Sequence, residues 1–244
     1  MITAITFDFW QTLYISKPIN YNERLQRLKA DMEDGSGLVF EPSRFEAAIL
    51  VARDTWDRTW VEAQRTITAD EWLSIVLNEL DTRLEPAHFL KIQTGMENSV
   101  LSNTPTLVPE ARTVLAKLSQ RYRLGIISDT GLTPGRVLRK ILAADQLLTY
   151  FTHLTFSDEV GRSKPHPDAF LTTLKALQAI PREAVHIGDL LRTDIAGAKG
   201  VGMRGIQYTG VNQDNHNSVV VAPDAVISSH TELEPLLEQW SISA

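Results

Sequence analysis

Cysteine is absent from this chain, and with it go disulfides, thiolate metal sites and cysteine nucleophiles. No stretch approaches the roughly 18 consecutive apolar residues of a membrane span. The N-terminus lacks the basic region and long apolar run of a signal peptide, so a soluble, cytoplasmic protein with no membrane partner is expected. An excess of basic charge is also missing. Lys and Arg number 24 against 30 Asp and Glu, a formal net charge of -6. Neutralising nucleic-acid phosphates needs clustered Lys and Arg, so no nucleic-acid partner is expected. The six histidines include no pair at metal-ligand spacing, and no internal repeat or low-complexity tract occurs. What remains is ordinary for a globular protein. The 244 residues are 43% hydrophobic and 22% charged, enough for one large domain or two modest ones. Composition sets no oligomeric state.

Short apolar runs ending in small or acidic residues alternate with amphipathic segments. Strands are expected over residues 2–8, 123–129, 153–157, 184–189, 205–208 and 224–228. Helical periods lie between them, over 109–120, 134–142, 167–177 and 194–199, several of them opening on Pro. This alternation implies an α/β fold, a Rossmann-like parallel sheet covered on both faces. Residues 15–105 break the pattern. Helices are expected over 43–60, 70–80 and 86–101, with a turn at 34–37. The segment reads as an inserted α-helical cap domain, with hinges near 14–18 and 103–108. Residues 1–14 and 106–244 then form the core domain. The polar run at 212–218 reads as an exposed loop before the final strand.

Parallel sheets bind ligands beyond the carboxyl ends of their strands, and Asp8, Ser128 and Asp189 fall at such ends. Four elements recur at wide spacing: Asp8 with Thr12, Ser128, Lys164 in a Ser-Lys-Pro-His-Pro turn, and Asp189 with Asp194 in Gly-Asp-Leu-Leu-Arg-Thr-Asp. Each is a weak signal alone. Simpler roles stand beside the chemical ones: helix N-caps for Ser128 and Asp194, a capping or loop role for Asp129, and packing between cap and core for Trp10. In the cap, Trp56 and Trp60 share a helix face, with Arg53 three residues earlier. They pack helices together or form a cluster facing the core that selects an apolar anion. His166 and His186 are sufficiently explained by loop and strand roles.

Taken together and in this order, with a helical insertion after the first, the four elements resemble the haloacid dehalogenase-like (HAD) hydrolase superfamily, in the branch with a helical cap between its first two motifs. The likeness covers nearly the whole chain. It is strongest at residues 3–13, 123–135, 157–170 and 184–203, and only topological in the cap. It implies Asp8 as a nucleophile that forms a covalent aspartyl intermediate, with Ser128 bonding a substrate oxygen, Thr12 and Trp10 lining the substrate site, and Lys164 neutralising Asp8 and the transferred group. It further implies Mg²⁺ held by Asp8, Asp189, Asp194 and the backbone carbonyl of Trp10, and a small anionic substrate, such as a phosphorylated metabolite.

The chain departs from this pattern at Trp10, where the family's phosphatases carry an Asp that protonates the leaving alcohol and later activates water. Indole can do neither, and such help is worth about 10²–10⁴-fold. Gln11 also replaces the usual Gly. Three explanations stay open. Dehalogenases of the superfamily carry an aromatic at this position and need no metal. Phosphonate-cleaving members use a cap lysine, for which Lys17 and Lys29 are candidates. Alternatively Asp129, where many members have Asn, acts as substitute acid or base or favours good leaving groups. The expectation is a Mg²⁺-dependent phosphatase-like hydrolase. Its alternatives are a 2-haloacid dehalogenase and a catalytically weak binding protein.

Overall fold

The computed structural model describes residues 1–212 and 221–242. Along the chain run β1 (Ala4–Phe7), β2 (Tyr14–Ile15), α1 (Tyr21–Ser36), α2 (Pro42–Val61), α3 (Ala69–Glu79) and α4 (Pro86–Asn98). There follow β3 (Thr106–Leu107), α5 (Ala111–Leu118), β4 (Arg123–Ser128), α6 (Gly135–Ala144), β5 (Phe151–Phe156), α7 (Ser157–Val160) and α8 (Pro167–Ala176). The last elements are β6 (Ala184–Gly188), α9 (Ala196–Gly200), β7 (Arg204–Tyr208), β8 (Ala225–Ile227) and α10 (Leu233–Ile242). The expected loop over 212–218 lies outside the described residues apart from Asn212.

The strands β1, β4 and β6 are short and almost wholly buried, as central strands of a parallel sheet must be when helices cover both faces. The sheet has the order β5-β4-β1-β6-β7-β8, and every pairing is parallel. Phe7 lies level with Ile126 on one side and Ile187 on the other. On one face Phe7, Leu124 and Ile187 pack with Val114, Leu115, Leu138 and Leu237 of α5, α6 and α10. On the other, Ile127 and Ala184 pack with Phe170, Leu174 and Ala198 of α8 and α9. The α/β class with a parallel sheet is therefore as expected from the alternation.

The four helices between β2 and β3 gather a separate apolar cluster, with Met32, Phe45, Ala52, Leu73, Val76 and Ile92 at its centre. Their ends carry local signals. Asn20 accepts from the Glu23 N–H at the start of α1, and Thr68 with Glu71 forms a capping box on α3. A cap residue is worth about 1 kcal/mol, whereas fully burying one Leu or Val gains roughly 1.5–3 kcal/mol. Packing, not capping, holds this group of helices together. The turn expected at 34–37 is shorter than its composition suggests. Helix α1 runs through Ser36, and only Gly37 leaves it, at φ 71. The expected helix over 194–199 is a π turn at Leu191–Ile195 followed by α9. Where the hinges are expected, β2 and β3 pair antiparallel, Tyr14 with Leu107. Among the described residues, no helix is long and apolar enough to cross a membrane.

Candidate active site

Because β1 sits between β4 and β6, the residues just past these three strands meet at one edge of the sheet. The chain departs from β1 to one side through β4 and to the other through β6, which opens a crevice above the carboxyl ends. Asp8 stands at its centre, and its N–H donates to the Ile187 carbonyl at 2.8 Å. Ser128 ends β4, and Asp189 follows Gly188 at the end of β6.

Lys164 reaches in from the loop before α8. Its Nζ donates to Asp8 Oδ1 at 2.5 Å and to Asp194 Oδ1 at 2.6 Å. Asp8, Lys164, Asp189 and Asp194 are at most 5% exposed. Burial holds the Asp8 carboxyl well above the usual carboxylate range; Lys164 opposes this, while Asp194 and Asp189 add to it. Asp189 is pushed up to about 6 by burial and by the charge of Asp194. For Asp194 burial raises the pKa, but Lys164 and His186 outweigh it and hold the group well below the ordinary value. Burial disfavours the Lys164 charge, yet Asp194 and Asp8 overcome this and keep it protonated.

A second row of groups orients these four. His186 Nε2 lies 3.0 Å from Asp194 Oδ1, and its Nδ1 lies 2.9 Å from Thr6 Oγ1. Burial lowers the His186 pKa. A neutral ring must donate through Nε2 to the carboxylate, which only accepts, so Nδ1 takes the Thr6 proton. Asp194 Oδ2 accepts from the Leu190 N–H at 3.0 Å, and Asn212 Nδ2 donates to Asp189 Oδ2 at 2.9 Å. Gly188 leaves room for Asp194: a Cβ there would stand 2.2 Å from its Cγ.

Among the described residues, Asp8, Asp189 and Asp194 are the one trio that could share a metal ion, with oxygens all within 4.8 Å of one another. Three buried carboxylates face one ammonium and a neutral imidazole. This oxygen-only, electron-rich donor set suits a hard divalent cation.

Trp10 is half-buried, its ring edge-on to Phe9 with centroids 4.9 Å apart. Gln11 takes up a left-handed conformation at φ 57, and its N–H donates to the Tyr14 carbonyl at 2.7 Å. The turn thus tolerates the missing Gly at the cost of local backbone strain. Thr12 Oγ1 is buried without a partner among the described residues. Ser128 is buried, and among the described residues its hydroxyl reaches only the Asp129 carbonyl, at 3.2 Å.

Several simpler roles are corrected. Ser128 caps no helix, because α6 starts at Gly135 behind Pro134. Asp194 lies inside the π turn, and Ile195 precedes α9. Asp129 accepts from Lys164 N–H at 2.9 Å with one oxygen and from Trp60 Nε1–H at 2.8 Å with the other. Trp60 and Trp56 do face the core, Trp56 lying against Gly131. The arginine of that cluster is Arg192, stacked 4.2 Å from the Trp60 ring centre, whereas Arg53 is exposed. Lys17 is exposed and Lys29 is paired with Glu33. His166 caps α8 by accepting from the Asp168 N–H, a loop role as expected.

Thr6, Asn212 and Arg192 do not stand out in the sequence as site residues. For Thr6 and His186 a signal exists: two polar residues interrupt apolar strands, and they sit level in the sheet.

Residues 2–202 match a family model described as haloacid dehalogenase-like hydrolase. The glyceraldehyde 3-phosphate phosphatase of Pyrococcus abyssi is 43% identical over 102 residues, 41% of this chain and 42% of that one. The chain thus covers less than half the length of that relative. The ribulose-1,5-bisphosphate 5-phosphatase of Halopiger xanaduensis is 32% identical over 216 residues, 85% of each chain. Among solved structures, a 2-haloacid dehalogenase from Pseudomonas syringae pv. Tomato is similar at TM-score 0.70 and 25% identity, over 98% of this chain and 100% of that one.

Proposed function

The chain belongs to the haloacid dehalogenase-like hydrolase family, and from that premise we propose a Mg²⁺-dependent phosphatase of small phosphorylated metabolites with Asp8 as nucleophile. The observation that carries this reading is Lys164 bridging Asp8 and Asp194 beside Asp189. In the proposed reaction an Asp8 oxygen bonds to phosphorus as the ester P–O bond breaks, giving an aspartyl phosphate and an alkoxide. Water then attacks phosphorus and breaks the aspartyl O–P bond, releasing inorganic phosphate and the Asp8 carboxylate, and the proton that water gives up balances the one the alkoxide takes from solvent. Lys164 and the Ser128 hydroxyl donate to phosphoryl oxygens, and the unpartnered Thr12 hydroxyl is available for the same task. Asp8, Asp189, Asp194 and the Trp10 carbonyl would hold the ion. Bound there, Mg²⁺ supplies neutralisation of the charge that builds up as phosphorus is attacked.

Trp10 offers no proton to the departing oxygen, so leaving groups that are stable as anions should react best, acyl and aryl phosphates above alkyl ones. In this reading Asp129 has a different part, its two oxygens holding the Trp60 indole N–H and the Lys164 backbone N–H. The division into a core of residues 1–14 and 106–244 and a cap of residues 15–105 belongs to the same proposal. It puts the leaving group beneath the helical insertion.

One alternative has support of its own. Trp10 and the likeness to a 2-haloacid dehalogenase favour carbon as the electrophile and halide as the product. A screen of glyceraldehyde 3-phosphate, ribulose 1,5-bisphosphate, acyl and aryl phosphates and 2-haloacids, each with Mg²⁺ and with chelator, separates the two. Chelator-sensitive phosphate release is expected. Chelator-insensitive halide release would establish the alternative, and no multiple turnover on any of them would leave a binding protein.

A further inference from the structure

We infer that Trp60 is a positioning residue for this hydrolysis, holding the Lys164 loop in place from the cap side through Asp129. The inference rests on the proposed role of Lys164. Trp60 lies in the last turn of α2, and its indole N–H donates to Asp129 Oδ2 at 2.8 Å. The other oxygen of that carboxylate accepts the backbone N–H of Lys164 at 2.9 Å. One carboxylate therefore connects the helical insertion to the residue whose ammonium touches Asp8.

The neighbouring residue is gripped from the same side. The Ser163 N–H donates to the Gln64 carbonyl at 2.7 Å, and the Ser163 hydroxyl lies 2.9 Å from Thr66 Oγ1. Two consecutive amides of the lysine loop are thus held by residues 60–66, one directly and one through Asp129. On its ring face Trp60 carries the Arg192 guanidinium. Arg192 belongs to the turn that runs from Asp189 to Asp194, so one indole touches two of the loops that build the charged site. Lifting residues 60–66 away would remove all of these contacts together, and Lys164 would lose its fixed reach to Asp8 and Asp194.

Trp60→Phe keeps a ring under Arg192 and deletes only the N–H. Asp129→Asn keeps the shape, but its amide nitrogen cannot accept a hydrogen bond. With acetyl phosphate and Mg²⁺, a substrate too small to need contacts with the cap, each variant should lower kcat about tenfold, the loss expected for one hydrogen bond to a charged group. KM should change less than about threefold. The double variant should be no slower than the slower single one, because both substitutions break the same link. A kcat within twofold of wild type for Trp60→Phe, or losses that multiply in the double variant, would overturn the inference.

Amide hydrogen exchange over residues 159–166 tests it without catalysis. Exchange at Lys164 should accelerate about tenfold or more in both variants, and unchanged exchange would refute the link. If wild type releases no phosphate while exchange still accelerates, the phosphatase reading fails and the positioning contact stands.

Discussion

Trp10 has no ionisable group, yet it follows the proposed nucleophile by two residues. Its indole removes proton transfer to the leaving group and leaves the charged cluster of Asp8, Lys164, Asp189 and Asp194 in place. Trp10→Asp should therefore raise kcat/KM for alkyl phosphates by at least about tenfold, toward the general acid–base contribution of about 10²–10⁴. Acetyl phosphate, with its good leaving group, should gain much less. Steady-state phosphate release from the two substrates checks this, and equal rates for variant and wild type on both would contradict it. The charged residues are legible in the sequence because Asp8 and Asp189 end apolar runs, Lys164 sits in a proline-marked turn, and Asp194 follows Asp189 at short spacing. The residues that orient them are not. Thr6 and His186 are single polar interruptions of buried strands, and Asn212 meets Asp189 only through the fold. Arg53 looks like the arginine of the tryptophan cluster from its spacing to Trp56, but the cation stacked on Trp60 is Arg192, brought there by a turn that no local period foretells.

Elements inherit the same division. Strands and helices of the sheet follow from alternating apolar runs and amphipathic periods, since burial on both faces leaves a plain trace in composition. Strands β2 and β3 leave none, because two-residue strands depend on each other across the helical insertion. The π turn at Leu191–Ile195 is equally invisible, being shaped by Asp194 folding back onto the Leu190 N–H. The turn before α10 carries a test of its own. His230 is 1% exposed and stacks on Tyr208 at 4.5 Å, and neither ring nitrogen has a partner among the described residues. Burial alone pushes its pKa down to about 4, whereas the unfolded chain takes the proton near about 6.5. The unfolded state thus binds more protons between these values, and stability falls as pH drops from about 6.5 toward 4, by on the order of 3 kcal/mol for this group. In urea titrations at pH 7 and pH 5, His230→Phe should lose less stability than wild type. An identical loss would contradict the assignment.

Over the whole molecule, two groups of helices serve different ends. One covers the sheet, and the other packs on its own cluster above the crevice. The break in strand–helix alternation reveals the insertion, but not where it docks. Thr66 and Ser163 are 97 residues apart, and nothing in either neighbourhood announces their contact. The excess of buried negative charge at the crevice has a consequence for the entire fold. An ion that binds the native trio and not the unfolded chain stabilises by about 2.7 kcal/mol at one hundred times its dissociation constant, several degrees for a domain of this size. Mg²⁺ should therefore raise the melting temperature of wild type and not of Asp189→Asn; equal shifts would place the ion elsewhere. The most direct test of the central claim is to acid-quench the protein during turnover of radiolabelled acetyl phosphate and locate the label by peptide mapping. The label is expected on the peptide containing Asp8, with Mg²⁺ only, and absent from Asp8→Asn. Phosphate release with no label there, or label that persists in the presence of chelator, would contradict a metal-assisted Asp8 nucleophile.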